Sequence, residues 1–270
     1  MTASRKFDDR VALTVGDDGV ADLRMIRADK LNALDPAMFD ALVEAGKALS
    51  GMPGLRCVVL SGEGKAFCAG LDLASMAGLA AGPGSSLADR THGEANLFQQ
   101  VAVQWRQLPV PVIAAVHGVC FGGGLQIAAG ADIRVVAPEA RLSVMELKWG
   151  IIPDMGGFAL WQGVVRKDVL RELTYTAREA TGEQAVTLGL ATLSDPDPHA
   201  RAMAIAREIA GRNPHAVRAA KALFNRAPSL TYAEVLLAES HAQQKLLGSK
   251  NQMEAVAAGM AKRPPIFVDP

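Results

Sequence analysis

Two glycine-rich turns and one apolar segment carrying two carboxylates are where the residue types and spacing of this chain can do chemistry. The first turn is Phe67-Cys68-Ala69-Gly70-Leu71-Asp72-Leu73; the second is Phe121-Gly122-Gly123-Gly124-Leu125-Gln126. Each comes soon after a short apolar run that reads as a buried strand, and the second opens a helix near Gly124. Small residues there leave backbone N–H groups uncovered, and a helix N-terminus adds a positive dipole. Two such N–H groups converging on one oxygen form an oxyanion hole; taken separately, the glycines serve only tight turns and packing. The third segment, running from Met145 to Gly157, sets Glu146 and Asp154 in apolar surroundings. Desolvation raises a carboxyl pKa toward the range useful for proton transfer. Asp154 has a second reading, as the N-cap of a helix starting near Met155.

Other patterns narrow the chemistry. Gly62-Glu63-Gly64-Lys65 lacks the Walker spacing and the hydroxyl residue after the lysine, so it reads as a turn. No Gly-x-Gly-x-x-Gly follows a strand, no zinc-type spacing of Cys and His is present, and there is no Gly-x-Ser-x-Gly elbow. His117 and Cys68 lie near the glycine turns and read as packing residues.

The elements that must position these groups follow from periodicity. Val11–Val15 and Val20–Ile26, separated by Gly16-Asp17-Asp18-Gly19, read as a hairpin. Pro36–Ser50 reads as a helix with Asp35 as N-cap, Pro36 at the first helical position, and Met38, Leu42, Val43 and Leu49 at helical spacing. Arg56–Ser61, Pro111–Val116 and Ile133–Ala137 read as buried strands, which together with intervening helices suggest βαβ crossovers and an α/β core. Residues 74–95, rich in Gly, Ala and Ser, read as a loop or broken helix, and Asn96–Leu108 as an amphipathic helix. From Thr181 onward helix signals dominate. Thr181, Thr231 and Ser249 open segments of capping-box form, and Asn213-Pro214 is a cap followed by proline. Leu193–His199 is the linker candidate. These signals divide the chain into an α/β core at 1–195 and a helical part at 196–270.

Composition bounds the partners. The 28 Lys and Arg balance the 28 Asp and Glu, so a broad field for nucleic acid or anionic membrane is absent and an anionic ligand must be held by local groups. The uncharged stretch between Arg106 and Asp132 is long enough to cross a bilayer, but its Gly122-Gly123-Gly124 and prolines fit a strand, turn and helix better. Three cysteines (Cys57, Cys68, Cys120) in apolar stretches point to reduced thiols in a cytoplasmic compartment, and the N-terminal residues lack the apolar core of a secretory signal.

Several ordered segments give the chain a family likeness: Arg27–Leu34, Ala66–Leu73, Pro111–Asp132, Glu146–Gly157, Thr181–Leu190 and Lys262–Phe267. Over nearly its whole length the chain resembles the crotonase (enoyl-CoA hydratase/isomerase) superfamily. The resemblance implies a ClpP/crotonase-type spiral of βαβ units with a helical C-terminal part, assembling as a homotrimer or dimer of trimers. It implies an oxyanion hole made by the N–H groups of Ala69 and Gly123, holding the thioester oxygen of an acyl-CoA as it becomes an enolate. It places the CoA-binding segments at Lys30, Leu31 and Ala33, and at Gly70, Leu71, Asp72 and Leu73, with Gly122 beside them. CoA is then part of the substrate, and no separate cofactor or metal is expected.

Family hydratases add water with two glutamates. One falls on Glu146; the position of the other is Gln126, whose amide cannot exchange a proton with water at neutral pH but can orient a water or a carbonyl. Family dienoyl-CoA isomerases use a Glu and an Asp spaced by eight, the spacing of Glu146 and Asp154 here. The expectation is therefore double-bond isomerisation through an enolate, ahead of hydration by Glu146 alone or a catalytically impaired acyl-CoA-binding homologue.

Overall fold

The computed structural model describes residues 3–75 and 86–270. Its main sheet has seven strands: β1 (Ala3–Phe7), β2 (Val11–Val15), β3 (Val20–Met25), β4 (Cys57–Gly62), β5 (Val112–Val116), β7 (Ile133–Val136) and β10 (Leu193–Ser194), in the order β1-β2-β3-β4-β5-β7-β10. The first three pair antiparallel, as the hairpin signal requires, and every later pairing in this sheet is parallel. A second sheet stands beside it, formed by β6 (Val119–Phe121), β8 (Arg141–Ser143) and β9 (Ala180–Thr181). Single-residue parallel pairings, Cys68 with Cys120 and Leu34 with Leu71, carry both glycine turns along this second sheet.

The central strands are buried on both faces because alternate side chains feed two separate cores. Val58, Leu60, Val112 and Ala114 face the larger core with α1 (Pro36–Ser50), α2 (Leu97–Gln107) and α3 (Gly123–Ala129). Cys57, Val59, Ile113 and Ala115 face the smaller one, closed by Ala202 and Ala206 of α7 (Pro198–Ala210). α1 begins as its sequence signals require: the Asp35 carboxylate accepts from Met38 N at 2.9 Å, with Pro36 in the first turn. α2 is capped by Asn96, and Gln99 returns the bond to the Asn96 N–H. All three cysteines are buried as free thiols, and burial pushes Cys57 and Cys68 up to about 12, where they are chemically quiet.

Short helices α4 (Gly157–Leu160), α5 (Lys167–Thr176) and α6 (Gly182–Leu188) lead back to the sheet. Here the structure departs from the periodicity reading. Strand β1, Ala-Ser-Arg-Lys-Phe, has no apolar run to mark it, and β6, β8, β9 and β10 escaped the reading because two or three residues are too few to show alternation. The Leu193–His199 stretch is no free linker: Leu193 pairs with Val135, Asp195 N donates to Val136 O, and Asp197 caps α7. Since α7 lies on the sheet, the helices standing apart from it are α8 (Pro214–Arg226), α9 (Tyr232–Leu246) and α10 (Lys250–Met260). Thr181 and Thr231 complete capping boxes, while Gln252 turns its carbonyl to Gly248 N instead of Ser249 N. Of the glycine-rich stretch 74–95, residues 76–85 lie outside the described residues. Lys221 of α8 ties the helical part back: its buried Nζ donates to Trp105 O, Val110 O and Asp132 Oδ2 at 2.7–2.9 Å.

Candidate active site

The two glycine turns meet. Residues 67–68 run along β6, with Phe67 N donating to His117 O, Cys68 N to Val119 O, and Phe121 N back to Cys68 O. The chain then crosses to residues 31–34: Ala69 N donates to Leu31 O at 2.9 Å, Leu34 N to Gly70 O at 2.8 Å, and Asp72 N to Leu34 O at 3.0 Å. Gly70 has φ +87, and a Cβ there would lie 2.7 Å from Phe121 O and 3.6 Å from Gly123 N, so only glycine lets the turns approach. Gly122, at φ 50 and ψ −117, turns the chain from β6 into α3 and leaves Gly123 N at the helix start.

This geometry changes one expected donor. The Ala69 N–H is spent on Leu31 O and is not available to a ligand. Gly70 N is directed to Cys68 Sγ at 3.4 Å. Among the described residues, Leu71 N and Gly123 N, one on each turn and next to the Gly70–Gly123 approach, bond to no protein acceptor, and both residues line one cavity. The sequence offered no way to choose between alternate residues of the first turn, because that choice depends on which N–H the 31–34 segment consumes.

Glu146 opens a short 3-10 helix (Glu146–Trp149) directly across from Gly122; a Cβ on Gly122 would come 3.4 Å from Glu146 Oε1. The glutamate is buried, and burial raises its carboxyl above the ordinary range, opposed by the hydrogen bond from Gln126 and helped by the charge of Asp154. Gln126, 1% exposed on α3, is committed at both ends. Its Nε2 donates to Glu146 Oε1 at 2.5 Å, and its Oε1 accepts from Met155 N and Gly157 N, both at 2.9 Å. Glu146 Oε2 is buried with no hydrogen-bond partner among the described residues. A carboxylate oxygen left in that condition is a poor structural element and a good proton acceptor.

Asp154 sits on the turn that Gln126 grips, but its side chain is exposed and does not line the cavity. Partial desolvation raises its carboxyl, opposed by its own backbone N–H. The cap reading does not hold: the following helix α4 starts at Gly157 with Gly156 as N-cap, and no side chain caps it.

The cavity between these groups is about 530 Å³. Of the expected binding residues, Lys30, Ala33, Gly70, Leu71, Asp72, Leu73 and Gly122 line it, and Leu31 does not. The rest of its wall comes from Ala74, Phe121, Met145, Lys148, Trp149 and Ile151, and from Arg141 and Glu179, for which sequence reading had no signal. Arg141 stacks over the Phe121 ring at 5.5 Å and pairs with both Glu179 oxygens. Residues 121, 141 and 179 meet only because β6, β8 and β9 pair, a signal too short for periodicity. A larger groove of about 970 Å³ among α8, α9 and α10 has only exposed carboxylates, Glu234 and Asp269, in its lining, so size does not select the site. His117, as expected, is used in packing, with Nε2 at 3.0 Å from Gly64 O.

The chain is similar to known proteins over nearly its whole length. Residues 16–270 match the family model described as enoyl-CoA hydratase/isomerase. The peroxisomal Delta(3,5)-Delta(2,4)-dienoyl-CoA isomerase of Arabidopsis thaliana is 33% identical over 263 residues, covering 93% of each chain. The mitochondrial methylglutaconyl-CoA hydratase of Mus musculus is 30% identical over 256 residues, covering 92% of this chain and 79% of the relative. The crystal structure of an enoyl-CoA hydratase from Bacillus anthracis superposes with a TM-score of 0.86 at 27% identity, covering 96% of this chain and 98% of the other.

Proposed function

The chain belongs to the enoyl-CoA hydratase/isomerase family, and from that premise we propose that it moves a double bond along an acyl-CoA chain through an enolate. The thioester oxygen docks on Leu71 N–H and Gly123 N–H, in place of the Ala69–Gly123 pair expected from sequence. Charge delocalised from the α-carbon collects on that oxygen, and two fixed N–H dipoles aimed at it each contribute about 3 kcal/mol. Glu146 Oε2 takes the proton from C2. The electron pair shifts into the conjugated system, and a proton is returned farther along the chain, so no atom is gained or lost. Asp154, eight residues after Glu146 but outside the cavity, acts on the transfer through its charge, which helps to raise the Glu146 carboxyl.

The observation that carries this reading is the double commitment of Gln126. Water addition across C2 and C3 by two acids needs an ionisable group there, and this amide instead holds Glu146 and the 155–157 backbone. The test is spectrophotometric turnover of crotonyl-CoA, a 3-enoyl-CoA and a 3,5-dienoyl-CoA by the same preparation. Isomerisation of an unconjugated thioester faster than hydration of crotonyl-CoA is expected. Rapid crotonyl-CoA hydration selects the second reading, a hydratase in which Glu146 alone handles the water, as the hydratase relative makes reasonable. Binding without turnover of any of the three selects an acyl-CoA-binding protein.

The chemistry needs no group beyond the thioester, whose CoA is part of the substrate. Apolar side chains exposed on α9, α10 and the turn between them, Leu236, Leu237, Leu247, Met253, Val256 and Met260, supply a face through which copies of the chain associate as a trimer or a dimer of trimers. Among the described residues no helix is long and apolar enough to cross a membrane, and the buried thiols suit a reducing, cytoplasmic setting.

A further inference from the structure

Residues 27–34, which supply Lys30 and Ala33 to the cavity wall, have a conformation that their own sequence does not favour. Leu31 and Asn32 are consecutive non-glycine residues at φ 51 and φ 55. Such residues in the left-handed region persist only when their surroundings hold them there. Asn32 Nδ2 is part of that hold, donating to Glu63 O at 3.0 Å and Ala66 O at 2.9 Å.

Arg27 is another part of it, beside the backbone bonds from Ala69 N to Leu31 O and from Leu34 N to Gly70 O. Its Nη1 donates to Ala33 O at 3.0 Å and to Asp72 Oδ2 at 2.7 Å, and its Nη2 lies 3.4 Å from Asp35 Oδ2. The two side chains of the Arg27–Asp72 pair are only 15% and 16% exposed, so water does not substitute easily for either. Asp35 is anchored in turn by Arg10 and by the start of α1. One guanidinium therefore joins three things: a helix cap, the carbonyl next to Leu34, and the residue next to Leu71. Leu71 lies between the two backbone bonds that Leu34 makes, to Gly70 O and from Asp72 N. The direction of its unspent N–H thus follows from how the 33–34 and 70–72 segments are held together.

We infer that Arg27 is a positioning residue: it clamps the 27–34 turn to Asp72 and so aims the Leu71 N–H at the oxygen that Gly123 N–H also meets. This rests on the acyl-CoA reading above. Arg27 touches neither substrate nor reacting atoms. Its contribution is to hold a hydrogen-bond donor whose strength falls steeply with misalignment.

The test uses a chromophoric thioester, the CoA ester of a cinnamic acid carrying an electron-donating amino group. Hydrogen bonds to its carbonyl favour the charge-separated excited state and move its absorption band to longer wavelength, so the band reports alignment at the oxygen and not merely binding. In the wild type a red shift on binding is expected. In R27M, and in R27K, which keeps the charge but cannot span Ala33 O, Asp72 and Asp35 together, the shift should shrink. At the same time kcat should fall about a hundredfold, with Kd for the chromophore changed by no more than about threefold. D72N, which keeps a hydrogen-bonding oxygen for Arg27, should fall between wild type and R27M. Should R27M fail to fold, R27K carries the same comparison. A full band shift and unchanged kcat in R27K or folded R27M overturns the role of Arg27 and leaves the hole standing. A wild type that binds the thioester with no band shift removes the hole, and with it both readings.

Discussion

Replacing Gln126 with glutamate puts an acid where hydration would need one, and the contacts around it determine the outcome. The Oε1 bonds to Met155 N and Gly157 N suit a carboxylate as well as an amide. The other carboxylate oxygen would replace Nε2, which now donates to Glu146 Oε1 at 2.5 Å. Two carboxylates about 4 Å apart repel by about 4 kcal/mol at an effective dielectric near 20. At 1.36 kcal/mol per tenfold, that raises proton affinity about a thousandfold, and burial already favours the protonated form at Glu146. The pair should hold one shared proton at neutral pH, which restores the lost hydrogen bond and lets Gln126→Glu fold. Since the shared proton is bound more tightly in the folded state than in the unfolded one, stability is present at low pH and lost as pH rises through the raised pKa. The assay is loss of the enoyl thioester absorbance of crotonyl-CoA between about pH 6 and 9, with melting temperature followed alongside. Hydration should be slow in the wild type and about a hundredfold faster in the variant near neutral pH, while isomerisation declines because Glu146 now shares its proton. Wild-type hydration as fast as isomerisation, or a folded variant with unchanged hydration, would refute the argument that the committed amide is what withholds water addition.

Glu146→Gln should abolish proton transfer with CoA binding nearly intact. Because burial raises the Glu146 pKa, its ionisation lowers wild-type stability as pH rises, so the variant should melt higher than wild type near pH 8, with the gap closing near pH 4. Asp154→Asn should slow isomerisation while shifting unfolding free energy by less than about 0.5 kcal/mol in urea titrations, since Gly156 and not Asp154 caps the next helix. A large stability loss would show that Asp154 is structural. Lys221→Met leaves Asp132, Trp105 O and Val110 O without their buried cation and should lower urea stability by about 3–5 kcal/mol; a change below about 1 kcal/mol would mean that α8 is not held by this pair.

Much of the fold was determined by local sequence. Asp35 and Pro36 start α1, Gly16–Gly19 turns the first hairpin, and the apolar runs at 57–61, 112–116 and 133–136 are strands, because caps, turns and buried parallel strands are written within a few residues. The glycine triplet before a helix and Glu146 in apolar company stood out locally for the same reason, while the roles of Gly123 and Gln126 were legible only through the resemblance to the family. What tertiary structure decided was which groups are spent. The resemblance put the first donor at Ala69, but in the folded chain Leu31 O takes that N–H and leaves the one at Leu71. Gln126 is an ambiguous amide until Glu146 claims its donor and the 155–157 backbone its acceptor. Arg27 and Asp72 are forty-five positions apart and carry no joint signal until the 27–34 turn folds against the first glycine turn. Types and spacing are local properties; hydrogen-bond occupancy belongs to pairs of groups, and only the folded chain assigns the pairs.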